Sequence, residues 1–257
     1  MATHTDKDII ARNGVDFVIF PWKSDLVTPT GYDLTIGVAA TITTNGLTLS
    51  MSGREKGPMS IIVPSNGKLL ILSRESVWLS ERVLGTLHSR GSLAAKGLLL
   101  NSTTVDPNWQ GPMTFLLHNV SDSEVILDPE KPFVTLVLHS VLSPTLTAYA
   151  DDPFDIILER YKQYDKGTGE LTKFTEYARA KQKSDSSAFQ NLVVTAKARN
   201  RVVRFFVRRA ASIRLLVERK WLLTLTGLAI WMVVSGTFLG FRVEKQIFEY
   251  LQKLVGP

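Results

Sequence analysis

Up to about residue 145 the apolar positions of this chain come in short runs, and beyond that point they come in long ones. DFVIFP, YDLTIGVAATIT, MSIIVP, KLLILS, PMTFLLHN, SEVILD and PFVTLVLHSVL are brief apolar or alternating segments. Alternation with a period of two marks strands with one face buried. Turn chemistry separates them: Thr28-Pro29-Thr30-Gly31, Pro64-Ser65-Asn66-Gly67 and Asp128-Pro129-Glu130-Lys131-Pro132. A helical turn is expected around Ser80–Leu87. Many short strands at this spacing predict a mainly β head over residues 1–145, a barrel or distorted jelly roll.

From Asp151 the period lengthens. FDIILERYKQY and LTKFTEYARAKQ read as helices on either side of Lys166-Gly167-Thr168-Gly169. Residues 146–186 are therefore a helical extension ending in a KSDSS hinge. Ser187 and Gln190 have the spacing of a capping box that opens a further helix. Over 187–220, Phe189, Ala196, Val203, Ala210 and Val217 recur every seven residues, with Leu192, Phe206 and Ile213 in a second row broken by Arg199. This seam is open to three readings: a self-associating stalk, a basic amphipathic helix on anionic lipid, or a basic linker without structure.

Trp221–Phe241 is different in kind: 21 residues without a charge. As a helix it is about 31 Å long, the thickness of a bilayer's hydrocarbon core. It contains Gly236 and Gly240, the G-x-x-x-G spacing that lets helix backbones approach. Residues 242–257 form a short tail with Val243, Ile247, Tyr250, Leu251 and Leu254 on one helical face.

Charge sharpens this picture. The net charge is +6, but residues 1–185 carry 18 Lys and Arg against 21 Asp and Glu, whereas residues 186–257 carry 12 against 3. A nucleic-acid binder would spread its basicity over the folded head, so no nucleic-acid partner is expected. The cationic side of the span faces the cytoplasm. The expectation is a single-pass protein of the inner or plasma membrane, head inside and C-terminus outside, with the lipid bilayer as a partner. The chain has no cysteine, which excludes disulfides, thiolate nucleophiles and Cys-based zinc sites.

Chemistry concentrates between His88 and Gly111, HSRGSLAAKGLLLNSTTVDPNWQG. An Arg90-Gly91-Ser92 turn is followed by a short apolar run and then Asp106-Pro107-Asn108-Trp109. With Gly31-Tyr32-Asp33-Leu34 upstream and the strand–turn–strand LLHNVSDSEVILDPEKPFVTLVL downstream, the chain resembles the family of trimeric dUTPases and dCTP deaminases over roughly residues 1–140. The resemblance implies a jelly-roll head, a homotrimer or a multiple of three, and nucleotide sites between subunits. It implies that the turn Arg90, Gly91 and Ser92 meets phosphates, and that Asp106 lies by the deoxyribose and would activate water in a dUTPase. Asp33 and Trp109 complete the candidate nucleotide-binding set. No protein-held metal is implied; Mg²⁺ would come only with a bound nucleotide.

The departures are chemical. A deaminase carries a catalytic glutamate in the strand that leads to its motif asparagine; here Asn119 is present, and the residues before it, Met113-Thr114-Phe115-Leu116-Leu117-His118, include no carboxylate to do that acid–base work. Gly91 replaces a serine, Ala95 and Thr104 stand where deaminases have arginines, and the closing glycine-rich motif of dUTPases is missing. No catalytic set is intact. Two of the four histidines, His88 and His118, flank these segments, and lone histidines are more often structural. The sequence thus leads to a membrane-anchored, catalytically inactive protein that binds or senses a nucleotide or nucleotide-derived signal, of the kind used in bacterial signalling or phage defence. The alternatives are an active membrane-tethered dUTP pyrophosphatase relying on Asp106 or a dCTP deaminase, and a trimeric scaffold.

Overall fold

In the computed structural model the described residues are 2–50, 60–101, 103–147, 153–180, 183 and 186–205. The span Trp221–Phe241, with Gly236 and Gly240, lies outside them. Among the described residues no helix is long and apolar enough to cross a membrane. The chain divides into two compact units, Met1–Asn200 and Arg201–Pro257. Every strand among the described residues lies in the first.

Two sheets face each other. One has the order β11 (Thr104–Val105), β9 (Val83–Ser89), β14 (Val134–Ser140), β4 (Gly31–Leu34), β3 (Val27–Thr28), and β1 (Ala2–Thr3) also pairs with β14. The other has the order β10 (Leu98–Leu100), β12 (Gln110–Asn119), β8 (Lys68–Leu79), β5 (Ile36–Thr43), β6 (Gly46–Ser50), and β2 (Phe17–Phe20) also pairs with β8. A small third sheet joins β7 (Ile61–Val63) to β13 (Val125–Leu127). Helix α1 (Asp6–Arg12) begins with a capping box between Thr5 and Asp8.

The inward residues of the two large sheets make the main core. Tyr32, Leu34, Leu136 and Leu138 of one meet Phe17, Leu69, Ile71 and Leu117 of the other, all fully buried. This is the sandwich that the period-two alternation requires, with inner faces packed about 10 Å apart. The segment expected as a helical turn, Ser80–Leu87, is mostly strand β9. Val83, Gly85 and Leu87 point inward while Leu84, Thr86 and His88 do not, so period two overrides the local sequence. The helical turn comes later, as α2 (Gly91–Ala94).

Two buried polar groups tie the layers together. Glu75, 1% exposed, accepts hydrogen bonds from the Thr35 amide (2.9 Å) and hydroxyl (2.6 Å). Burial pushes its carboxyl above the ordinary glutamate value, and the Thr35 bonds offset only part of that. His4 is buried against the edge of Phe17 and bonds Ser140 through Nε2 at 2.7 Å. Burial, then the Arg12 charge, hold its pKa below the ordinary histidine value.

The helices coat the second face of the β5–β8 sheet. Helix α3 (Pro153–Tyr161) and helix α4 (residues 170–180) bury Phe154, Ile157, Leu171, Phe174 and Ala178 against Val38, Ala40, Ile42, Leu70 and Leu72. β5 and β8 are thus apolar on both faces, which is why they read as nearly continuous hydrophobic runs. Helix α5 (residues 186–205) is already under way at 186. It lays Phe189, Val193 and Ala196 on Val18 and Trp78. Asn200 fastens it by donating to the Val15 carbonyl (3.1 Å) and to Asp16 (2.7 Å). Phe189 and Ala196, two positions of the heptad seam open to three readings, are therefore spent on the head of their own chain. Leu192 and Val203 remain 43% and 48% exposed.

Candidate functional site

The site residues fall into two groups. The first surrounds Arg90. This residue follows β9 and caps α2, whose Leu93 and Ala94 amides donate to the Arg90 carbonyl. Its Nη1 donates to Asp33 Oδ2 at 2.5 Å, and the Thr135 hydroxyl donates to Asp33 Oδ1 at 2.6 Å. Strand register explains the meeting: Thr135 on β14 lies between Asp33 on β4 and His88 on β9. Gly31 makes this close pairing possible, because a Cβ there would sit 2.7 Å from the Leu136 carbonyl oxygen. One N–H of the guanidinium is thus committed to Asp33, and an arginine has five.

Arg90 and Ser92 line a cleft of about 640 Å³ with Lys96, Asp128, Lys131 and Phe133. Lys96 and Lys131 extend the candidate set. Lys96 follows α2 closely, and Lys131 belongs to the Asp-Pro-Glu-Lys-Pro turn. That turn is set by the Asp128 side chain accepting from the Glu130 amide (3.0 Å). A two-pronged Arg74–Glu130 contact (2.9 and 2.5 Å) pins it to β8. The cleft lining therefore carries Arg90, Lys96 and Lys131, with Arg90 paired to Asp33 and Lys131 4.0 Å from Asp128, and Lys96 with the remaining guanidinium N–H groups of Arg90 suits it to phosphate. Gly91 is open, with nothing within 4 Å of a Cβ built there. What the glycine removes is a hydroxyl, and no packing demands the loss.

The second group is built on the turn before β12. The Asp106 carbonyl accepts from the Trp109 amide (3.1 Å), Asn108 holds a φ of 67°, and the Trp109 indole N–H donates to the Gly111 carbonyl at 3.1 Å. The half-buried Trp109 ring packs on the main core. Asp106 is exposed and lines a cavity of about 290 Å³ with Thr104, Trp109, Met113 and Thr114. Ile157, Arg160 and Tyr161 of α3 form its other wall. The two cavities share no lining residue within the chain. Arg90, Ser92 and Asp33 come together at one place, Asp106 and Trp109 at the other.

Leu117 and Asn119 have structural surroundings. Leu117 is fully buried in the main core, paired with Leu69 and Leu100. Asn119, also fully buried, donates to the carbonyls of Val63 (3.0 Å), Pro64 (3.0 Å) and Ser123 (2.8 Å), and accepts from the amide and hydroxyl of Ser121. Its amide is saturated, and it holds the 119–123 turn against β7. Two histidines are likewise engaged: the Thr86 hydroxyl bridges His88 (2.8 Å) and His139 (3.0 Å). Among the described residues no group of three or more His, Asp or Glu is placed to hold a metal ion. Asp33 already serves Arg90 and Thr135.

Residues 3–141 match the dCTP deaminase-like family. A dCTP deaminase of Thermococcus sibiricus is 34% identical over 134 residues, which are 52% of this chain and 82% of that protein. A dCTP deaminase of Pyrococcus abyssi is 31% identical over 134 residues, 52% of this chain and 83% of that one. A probable deoxyuridine 5'-triphosphate nucleotidohydrolase of Sulfolobus islandicus rod-shaped virus 1 is 30% identical over 148 residues, covering 56% and 88%. The solved dCTP deaminase of Agrobacterium tumefaciens aligns over 53% of this chain and 47% of its own, with 12% identity and a TM-score of 0.43. By the family match over its sandwich and by these relatives, the chain belongs to the dCTP deaminase-like family.

Proposed function

We propose that this protein binds a nucleotide without deaminating it, and that the span Trp221–Phe241 tethers its head to the cytoplasmic face of a membrane. One contrast carries the reading. The phosphate-seeking elements persist in the Arg90–Lys96–Lys131 cleft, while β12, the strand in which a deaminase carries its glutamate, holds no carboxylate, and its Leu117 is sealed in an apolar core. Binding and chemistry have separate requirements: cations suffice for the first, and the second needs a group that moves a proton. The relatives named as dCTP deaminases and as a dUTP nucleotidohydrolase support a deoxynucleoside triphosphate as the ligand class. A homotrimer, or a multiple of three, is the assembly proposed for the head. Coupled to a transmembrane helix, ligand occupancy becomes a signal at the bilayer.

A second reading, a tethered dUTP pyrophosphatase, is favoured by one observation: Asp106 is exposed on a cavity and could accept a proton from water. One experiment separates the two. The full chain in detergent is incubated with dCTP and dUTP, and ammonia and pyrophosphate are measured alongside thermal stability. Stabilisation by nucleotide without either product is expected. Pyrophosphate release from dUTP that disappears in Asp106→Asn would replace the first reading with the second. Absence of any stabilisation by either nucleotide would remove both.

A further inference from the structure

The cavity beside Asp106 has one wall that the family match does not reach. The match ends at residue 141, and α3 begins at Pro153. Phe154, Ile157, Leu158 and Tyr161 are spaced as a helical stripe and pack on the outer face of the β5–β8 sheet. That stripe fixes the rotation of the helix. Arg160, three residues after Ile157, lies beside the stripe and lines the cavity opposite the Asp106 turn.

Both charged side chains are exposed. Neither the Asp106 carboxylate nor the Arg160 guanidinium has a hydrogen-bond or ion-pair partner among the described residues, and they do not pair with each other. Elsewhere on α3 the opposite holds: Asp155 pairs with Arg179 at 2.7 Å. The Asp106 turn is held in place by Asn108, which donates to the Thr147 carbonyl at 3.1 Å. Asp106 and Arg160 line one cavity of about 290 Å³ with opposite charges, and a single ligand seated there can answer both. A carboxylate only accepts hydrogen bonds and a guanidinium only donates them. The ligand must offer a hydroxyl to Asp106 and an oxygen acceptor to Arg160. Its body lies against Trp109, with the hydroxyls of Thr104, Thr114 and Tyr161 available around it. A cavity of this size holds a nucleoside-sized group and little more.

We propose that α3 completes the nucleotide site, with Arg160 donating to an oxygen acceptor of the ligand whose sugar hydroxyl is held by Asp106. This rests on the nucleotide reading above and adds to it a binding residue from outside the family's region. The acceptor is either a carbonyl of the base or an oxygen of the phosphate, and the choice of ligand tells them apart.

The test is calorimetric titration of the full chain in detergent with dUTP, dCTP and deoxyuridine, using the wild type, Arg160→Gln, Arg160→Lys and Arg90→Ala. Arg160→Gln should weaken dUTP or dCTP binding about tenfold or more, the loss of one charge-assisted contact. Arg160→Lys should recover part of it. Equal loss for deoxyuridine identifies a base carbonyl as the acceptor; loss confined to the triphosphates identifies a phosphate. Arg160 is exposed and has no ion-pair partner among the described residues, so the unliganded Tm should stay within about 2 °C of the wild type. Wild-type affinity in Arg160→Gln, with binding lost in Arg90→Ala, would overturn the role of α3 and leave the nucleotide reading standing. A large drop in the unliganded Tm would assign Arg160 to structure and also overturn it. No binding by the wild type would remove the nucleotide reading and this inference with it.

Discussion

Replacing Arg90 by alanine should cost stability as well as binding, and the two losses can be separated. Asp33 is 7% exposed, and its two oxygens are held by Arg90 at 2.5 Å and by Thr135 at 2.6 Å. Arg90→Ala leaves a nearly buried carboxylate with one hydroxyl donor. A hydrogen bond to a charged group contributes about 1.5–3 kcal/mol. The Arg90 side chain is 33% exposed, so water recovers part of the loss and about 2 kcal/mol is expected. For a chain of this size that is a Tm lowered by about 4–8 °C. The assay is thermal unfolding by circular dichroism, without ligand, of the wild type, Arg90→Ala, Asp33→Asn and the double variant. The singles should not add, because each breaks the same contact; a coupling of about 2 kcal/mol is expected. Additivity to within about 0.5 kcal/mol would show that the pair contributes nothing, and would refute the reasoning. Asp33→Asn, which frees Arg90 without removing it, should keep nucleotide binding, whereas Arg90→Ala should lose it.

Three further outcomes are expected from the same geometry and topology. Asn119→Leu should destabilise the protein by about 3–5 kcal/mol, because it strips three carbonyls and the Ser121 amide of their partner at a buried site; chemical denaturation reads this, and a cost below about 1 kcal/mol would show that water replaces the side chain. The Glu75 carboxyl is raised by burial, so the folded state binds its proton more tightly than the unfolded chain, and the stability this contributes is lost as pH rises from the ordinary glutamate value through the raised one; the Tm gap between wild type and Glu75→Gln should therefore shift in the variant's favour as pH rises through that window, and a gap independent of pH would contradict it. In intact spheroplasts the head should be protected from added protease while a tag after Pro257 is cut, and cleavage of the head would reverse the proposed topology.

The sequence by itself determined many of the strands, though not β6, β9 or β10, and part of the set of residues that could carry chemistry. Period-two alternation needs no partner to be legible, because it follows from a pleated strand with one buried face. Turns announced by Pro, Gly, Asn and Asp were equally local, and so was the absence of any carboxylate from Gln110–Asn119. The misplaced helical turn at Ser80–Leu87 shows the limit: only the neighbours β14 and β11 make that stretch a strand. Tertiary structure alone decided the pairings. Asp33 and Arg90 are 57 positions apart, and they meet because β4 and β9 flank the same strand. Lys96 and Lys131 share a cleft for a similar reason. Arg160 carried no signal at all, being one of several charges on an amphipathic helix until the helix's rotation set it on the cavity of Asp106. The spacing of Phe189 and Ala196 likewise stated that a face is buried and left open what buries it; the answer was Val18 and Trp78 of the same chain. A pattern of hydrophobicity encodes burial, which is a property of one residue. A site is a relation between residues, and the relation exists only once the sheets have closed.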